Sequence, residues 1–430
     1  MSTITKLDVF YSGWSERWLL GSLAQVGQRL LFEYAPSAID AATNRNLQLS
    51  PFQVPVPKPG VQQAGYVGPR HFHGLPGFIA DALPDGWGML LMDRAFRKAG
   101  RDVRSISVLE RLAVVGNSAV GALSFEPADP VEAQMLDVIS LKKLALQSQE
   151  VLADDAEQTS QEQLRQLLML GGSPQGARPK ALLRFNEEEN RFFPDSAGAQ
   201  AGAAWLLKFP AQGEMAHVCA LEELYARLAR KGGLDMPASR YFPLGSKHAA
   251  FGVQRFDRVA SKSEQEQRVP VLSMAALLDA DFRLPALDYE TVLLATHRLT
   301  ADYRETLKAF DRCVFNVLTH NRDDHAKNFA FILGADDQWR LSPTFDLTFS
   351  FGPGGEHSTS VAGEGRLPTR AHLMRVAKVG GIKEKDASAS IAHWMDALQF
   401  DQKLLRDLPL PARTLMHMRK TIGVVWQGMK

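Results

Sequence analysis

Residues 320–333 read HNRDDHAKNFAFIL, and residues 339–352 read WRLSPTFDLTFSFG. Asp323 and Asn328 stand in a D-x-x-x-x-N spacing, and Asp346 follows eighteen residues beyond Asn328 inside the apolar frame PTFDLTF. That spacing is the logic of phosphoryl transfer. A loop Asp accepts the proton of an attacking hydroxyl, while a loop Asn and a later Asp just past a strand hold the magnesium that neutralises phosphate charge. The flanks agree with it. FNVLTHN reads as the end of an apolar helix, and FAFIL with WRLSP reads as a hairpin over the Asp–Asp segment. The bland alternative is a polar surface loop followed by a strand with a capping Asp, and Asp346 at the right remove argues against it.

The rest of the chain sets the class. It has 430 residues, with 49 Lys+Arg against 48 Asp+Glu, a net charge of +1. A composition 45% hydrophobic and 23% charged excludes disordered and fibrous classes, and the length suits two or three domains. Near-neutrality argues against coating nucleic acid by bulk charge, though not against a local phosphate site. No apolar run is long enough to span a bilayer, so no membrane is expected. The N-terminus has no apolar signal core, and Cys219 and Cys313 are too few for a disulfide framework. Both features predict a cytoplasmic protein.

Along the chain, LDVFYSG, WLLGSLAQ and RLLFEYA predict short strands. Residues 51–70, rich in Pro and Gly, predict a loop, and residues 75–100 predict two helices broken at LPDGW. Residues 126–165 are polar, acidic and helix-prone, a plausible bridge between domains. Residues 292–321 are apolar at helical spacing with a break near Leu299-Thr300-Ala301, and the last hundred residues are mostly helical. Three regions follow: a strand-rich part over 1–150, nucleotide-binding strands with a Gly-rich loop over 151–260, and a helical catalytic part over 261–430.

The Gly-rich segment GGSPQGARPKALLRF begins at Gly171. Gly172 and Gly176 permit close backbone approach to phosphate oxygens, yet no G-K-[ST] closes a Walker loop. A plain Gly-rich turn between helix and strand is the alternative. Lys208, in the apolar strand AAWLLKFP, is either a nucleotide lysine or an edge lysine reaching outward, and Lys180 in the Gly-rich segment competes for the role. Glu222 and Glu223 both suit a paired carboxylate on the following helix. His71 and His73 near Asp81 and Asp85 suggest a metal, but no further ligand completes a site, so they read as structural. The five cations in RAFRKAGRDVR read as a solvated helix face, with a docking patch the alternative. Both cysteines read as core.

The segments DDHAKN and PTFDLTFS resemble the HipA family of serine/threonine-protein kinase toxins, whose signature is D-x-H-A-K-N followed by an apolar-flanked Asp. GGSPQGARPK resembles that family's Gly-rich loop, AAWLLKFP its nucleotide-lysine strand and GVQRFDR its hinge; LPDGWG and VGALSFEP resemble its N-terminal subdomain. The resemblance implies an α/β (α+β), protein-kinase-like two-lobed fold with a strand-rich N-terminal subdomain and a large helical C-terminal part. It implies ATP and Mg²⁺ as cofactors, the nucleotide lying in a cleft between the Gly-rich loop with its strands and the helical part.

Carried residue by residue, the resemblance makes Asp323 the catalytic base, with the adjacent Asp324, where Gly is common, as the competing carboxylate. Asn328 and Asp346 match magnesium ligands, and Lys208 the phosphate lysine with Glu222 as its ion-pair partner. Gly172, Ser173, Gly176, Ala177 and Lys180 fall in the phosphate loop, and Ser173 matches an autophosphorylated serine. Gln254, where an acidic residue is common, and Phe256 match the adenine hinge. His325 and Lys327 lie inside the catalytic loop, where His325 orients the loop or contacts phosphate.

The same resemblance implies a growth-arresting toxin whose partners are a helix-turn-helix antitoxin (HipB-like), DNA through that antitoxin, and a protein substrate; the family's described target is a glutamate-tRNA ligase. Two other readings stand beside it. One is a small-molecule phosphotransferase of the aminoglycoside type, which usually places a His two before the catalytic Asp, where this chain has Asn321. The other is a catalytically silent corepressor.

Overall fold

The computed structural model describes residues 4–128, 138–153, 160–172, 174–260, 266–399 and 402–429. The chain divides into two compact units. The first comprises Met1–Ala216 with Arg240–Leu272, and the second His217–Ser239 with Ser273–Lys430. It is a mixed α/β fold.

In the first unit, the period-two pattern of KLDVFY puts Leu7, Val9 and Tyr11 on one fully buried face. The strand Lys6–Tyr11 pairs antiparallel with Trp18–Val26 and with Leu123–Glu126, and Arg29–Tyr34 completes a four-stranded sheet. The helices Gly77–Ala80 and Gly86–Lys98 flank the LPDGW break.

A second, five-stranded sheet in this unit runs in the order Arg191–Pro194, Lys180–Asn186, Ala203–Lys208, Ala249–Gln254, Ser239–Pro243. The strand Lys180–Asn186 is buried from Lys180 through Phe185, as an interior strand covered on both faces must be. Residues 138–172, polar in bulk, form the helices Leu141–Leu152 and Gln161–Gly171. Ser140 caps the first, and a Ser160–Gln163 capping box starts the second. Their apolar stripes, including Leu144, Val151, Leu164 and Leu167, are buried.

Buried charge in this unit is paired. Arg184 donates to both oxygens of Glu266 at 2.5 and 2.7 Å, and Arg255 to both of Asp257 at 2.9 and 2.8 Å. Arg258 adds a 2.7 Å bond to Asp257. Burial alone would raise the Asp257 carboxyl, but the Arg255 and Arg258 charges outweigh it and hold the group below the usual carboxylate range.

In the second unit, the apolar spacing of residues 289–319 becomes the helices Tyr289–Thr300 and Tyr303–Thr319. The break falls at Ala301, left-handed with φ 50°, and Asp302 caps the next helix through the Arg304 N–H. Phe310, Cys313, Val314, Val317 and Leu318 recur along one stripe of the second helix and are fully buried. Each such side chain contributes roughly 1.5–3 kcal/mol through burial. His320, left-handed at φ 57°, ends this helix and turns the chain into the DDHAKN loop. The hairpin over that loop forms from Ala330–Leu333 and Trp339–Leu341, with Ile332 opposite Arg340. Arg370–Val379, Glu384–Ala397 and Ala412–Gln427 supply the helical C-terminal part. Among the described residues no helix is long and apolar enough to cross a membrane.

Candidate functional site

Two adjacent carboxylates stand in the DDHAKN loop, and their surroundings separate them. Asp324 is 1% exposed. Its carboxylate accepts from the Tyr289 hydroxyl at 2.8 Å, the Ser358 N–H at 2.8 Å and the Thr359 N–H at 3.3 Å, and lies 2.7 Å from His357 Nδ1. Behind Tyr289 the chain of bonds continues. The Asn316 amide donates to the Tyr289 oxygen at 2.9 Å, and the Asn321 amide donates to Asn316 Oδ1 at 2.9 Å. Burial, and then the Asp324 charge, raise the Tyr289 phenol well above its ordinary value, so it remains a donor. Asp324 is thus the anchor of a buried polar network. Asp323 is half-buried, and its carbonyl oxygen accepts from Asn328 Nδ2 at 2.6 Å.

That last bond orients Asn328. Its amide nitrogen is committed to Asp323, which makes the carbonyl oxygen the end able to ligate a cation. The Lys327 N–H donates to His325 Nδ1 at 3.3 Å, so His325 caps the short 3₁₀ turn Ala326–Asn328 and orders the loop. Lys327 Nζ stands 3.8 Å from the centre of the Phe282 ring. Asp346 has φ 56°, an uncommon backbone state for a non-glycine residue and one that clusters at functional sites.

Asn328 and Asp346 line one pocket of the second unit, together with Arg312, Asn321 and Thr344. One amide oxygen and one carboxylate are hard oxygen donors. They suit Mg²⁺, which keeps several waters and is usually held by one or two protein groups plus substrate phosphates. Among the described residues no three His, Cys, Asp or Glu side chains converge as a complete all-protein metal cage.

In the first unit the sheet register brings the two competing lysines together. Lys180 and Lys208 are directly opposite in the antiparallel ladder, so both side chains lie on one face, and they are 6% and 5% exposed. Like charges so placed oppose each other by roughly 0.2–1 kcal/mol, and an anion between them reverses the sign. Lys180 Nζ donates to the Gln175 carbonyl, and Lys208 Nζ is 5.9 Å from the Phe251 ring centre.

The Gly-rich segment is shorter than its composition suggests. Gly171 is the last residue of the helix Gln161–Gly171, and Gly172 is its C-cap. The left-handed glycine is Gly176, with φ 105°, and Ala177 beside it is exposed. Gln254 is exposed at the end of its strand and Phe256 is half-buried just past it. Ser173 lies outside the described residues.

Glu222 and Glu223 lie on the helix His217–Lys231 in the second unit, each 2% exposed. Glu223 accepts from Arg227 Nε at 2.7 Å and from the Ser239 hydroxyl at 2.6 Å, which commits it to its own unit. Asp85 and Asp81 serve the Gly-rich segment: Asp85 accepts from the Gly176 N–H, and the Asp81 carbonyl accepts from Gln175 Nε2. Cys219 and Cys313 are buried free thiols.

A family model described as the HipA-like C-terminal domain matches residues 172–400, and one described as the HipA N-terminal domain matches residues 7–126. The chain belongs to the HipA family. Among solved structures, HipA from the Shewanella oneidensis MR-1 complex of HipA, HipB and operator DNA is similar at 15% identity and TM-score 0.69, covering 98% of this chain and 96% of that one. That likeness shows the shared fold. The proinflammatory kinase CtkA of Helicobacter pylori matches at 13% identity and TM-score 0.40, covering 59% of this chain and 91% of that one. No curated protein matches.

In this HipA-family chain, sequence reasoning missed Tyr289, His357 and Ser358, the groups that bond the Asp324 carboxylate. It also missed His320. Burial, with Arg322 beside it, pushes the His320 imidazole down from 6.5 to about 4. Its Nδ1 lies 3.0 Å from the Ser350 carbonyl, and its ring stacks on Phe349. Because the folded pKa is depressed, the unfolded chain takes the proton first as pH falls. The contribution of this group is therefore whole above pH 6.5 and is lost progressively down to about pH 4. A His320→Gln variant should show a shallower loss of urea midpoint across that window than wild type, and an identical slope would contradict the assignment.

Proposed function

We propose that the chain is a serine/threonine-protein kinase that transfers the ATP γ-phosphoryl group to a protein hydroxyl, acting as the toxin of a toxin–antitoxin pair. The observation that carries this is the division of labour in the DDHAKN loop. Asp324 is saturated by buried donors, which leaves Asp323 as the carboxylate for the substrate hydroxyl, five residues before an Asn328 whose oxygen is oriented for a cation.

In this reading Asp323 accepts the hydroxyl proton as the oxygen attacks the γ-phosphorus, and the bond from that phosphorus to the β,γ-bridging oxygen breaks to release ADP. Asn328 and Asp346 hold Mg²⁺, which when bound neutralises phosphate charge. Lys208 and Lys180, opposed on one face of the sheet, hold the phosphate oxygens, with Lys327 and the backbone of Ala177 contributing from the loops; Gly172 and Gly176 shape the loop instead, since the Gly172 N–H is held by the Leu168 carbonyl and the Gly176 N–H by Asp85. Of the two helix carboxylates, Glu222 is the one proposed to serve the site, a role supported by the commitment of Glu223 to Arg227 and Ser239. Gln254 and Phe256 offer backbone groups to the adenine edge. His325 positions the loop and does not act as the base, since its Nδ1 already accepts the Lys327 N–H. Catalysis comes mainly from positioning and charge neutralisation.

The partner reading is a helix-turn-helix antitoxin that supplies DNA readout, supported by the Shewanella complex with HipB and operator DNA and compatible with a kinase chain of net charge +1. The protein substrate is proposed as a class, with an aminoacyl-tRNA synthetase as the first candidate, and the reaction as cytoplasmic. The reading is tested by Mg²⁺-dependent ATP consumption with purified full-length protein; tight ATP binding without turnover would favour a silent binder.

Ser173 is proposed as the autophosphorylation site. Wild-type protein incubated with Mg·ATP should gain one phosphate there by intact-mass and peptide mass spectrometry. That modification adds a charge of about −2 beside the nucleotide phosphates and should slow further turnover. An unmodified Ser173 after incubation would remove this part of the proposal.

A further inference from the structure

The LPDGW turn grips the Gly-rich loop chiefly through the backbone of one residue, Gly176. Asp85 stands at the N-cap of the helix Gly86–Lys98, where an Asp ordinarily accepts an N–H of its own helix; here it makes no such bond. Its carboxylate accepts the Gly176 N–H instead, while the Trp87 N–H, in the first turn of the same helix, donates to the Gly176 carbonyl at 3.0 Å. Helix and loop therefore cap each other. Gln175 Nε2 adds bonds to the Asp81 carbonyl at 2.8 Å and the Leu83 carbonyl at 3.4 Å.

The approach is close enough to require glycine at position 86, and the backbone angle favours it at position 176. Gly86 has φ 41°, and a Cβ there would lie 2.6 Å from the Gly176 oxygen and 2.7 Å from Ala177 Cα. Gly176 has φ 105°, and a Cβ there would lie 2.2 Å from Lys180 Nζ. The loop conformation that presents Gly176 and folds Lys180 back onto Gln175 is thus held from one side by Asp85.

From this geometry we propose that Asp85 is a positioning residue for nucleotide binding: it pins the Gly176 peptide and pre-orders the loop that meets phosphate. The proposal rests on the nucleotide reading of that loop given above. A charge-assisted bond of this kind fixes a segment before the ligand arrives, so the ordering cost is not charged to binding. Asp85 itself need touch neither nucleotide nor substrate.

The test uses full-length wild type, Asp85→Ala and Asp85→Asn. Hydrogen exchange of peptides covering residues 174–180 reads the pin, and the dissociation constant of Mg·ATP by calorimetry, with KM and kcat where turnover is measurable, reads its consequence. Asp85→Ala should exchange about ten-fold faster over that segment and bind Mg·ATP about ten-fold more weakly, with KM rising and kcat nearly unchanged. Asp85→Asn keeps an acceptor oxygen and should recover most of both. Unchanged exchange in Asp85→Ala would overturn the pin, and faster exchange with equal or tighter Mg·ATP binding would overturn the positioning role. Wild type that binds no Mg·ATP would instead overturn the nucleotide reading, while the exchange data still judge the pin. Equal thermal midpoints in the three proteins verify that the variants fold.

Discussion

Asp323→Asn should reduce phosphoryl transfer by at least 10²- to 10⁴-fold, the scale of a lost general base, while leaving the urea midpoint within about 0.5 kcal/mol of wild type. Asp323 is half-buried, and the bond that organises the loop uses its backbone carbonyl, which the substitution retains. The variant should also bind Mg·ATP with near wild-type affinity, because the proposed metal donors are on Asn328 and Asp346. Asp346→Asn should lose activity to a similar extent, but through weakened Mg²⁺ binding, so raising Mg²⁺ should restore part of its rate and none of the Asp323→Asn rate. Labelled-phosphate incorporation from γ-³²P ATP, measured across a Mg²⁺ titration, separates the two. Full incorporation by Asp323→Asn would remove it as the base.

Asp324→Ala should have the opposite signature, a large loss of stability. The substitution leaves the Tyr289 hydroxyl, the Ser358 N–H and His357 Nδ1 without their shared acceptor in a buried site. Breaking a buried, hydrogen-bonded pair of this kind costs about 3–5 kcal/mol. The urea midpoint should fall accordingly, and the DDHAKN loop and the segment around Ser358 should exchange hydrogen faster. Activity should fall too, as a consequence of the disordered loop. Asp324→Asn should be intermediate, since its amide keeps one acceptor oxygen but presents a donor where a second acceptor is needed. A midpoint within 1 kcal/mol of wild type for Asp324→Ala would show that the buried network is not what orders the loop.

The contrast between these neighbours explains what was readable from sequence. Asp323, Asn328 and Asp346 could be proposed from sequence because one short stretch carries them at a spacing that suits phosphoryl transfer. The strands of the N-terminal sheet, the break at Ala301 and the Ala330–Leu341 hairpin were legible for the same reason: period, cap and turn are local properties. The choice between Asp323 and Asp324 was not local. The proposed preference for Asp323 rests on Tyr289 and His357, which hold Asp324 from 35 and 33 residues away in opposite directions along the chain. Glu223 likewise was separated from Glu222 only by finding Arg227 and Ser239 on its carboxylate.

Composition also misled in part. Gly171 and Gly172 look like loop glycines, but they end a helix. Gly171 is needed because a Cβ would meet the Lys180 carbonyl at 2.1 Å. Lys180 and Lys208 read as rivals, yet the strand register makes them partners on one face. Asp85 read as part of a doubtful metal cluster, and its role depends on Gly176, 91 residues further on. The lysine pair depends on strand register and the Asp85 contact on a bond across 91 residues, neither of which local spacing carries.

The most direct test of the central claim is γ-³²P transfer from ATP to protein by purified wild-type chain, with Mg²⁺ and with the metal chelated, alongside Asp323→Asn. The account predicts protein-bound label with Mg²⁺, almost none on chelation, and almost none from folded Asp323→Asn. Folded wild-type protein that binds Mg·ATP yet transfers no label, or equal labelling by Asp323→Asn, would contradict it.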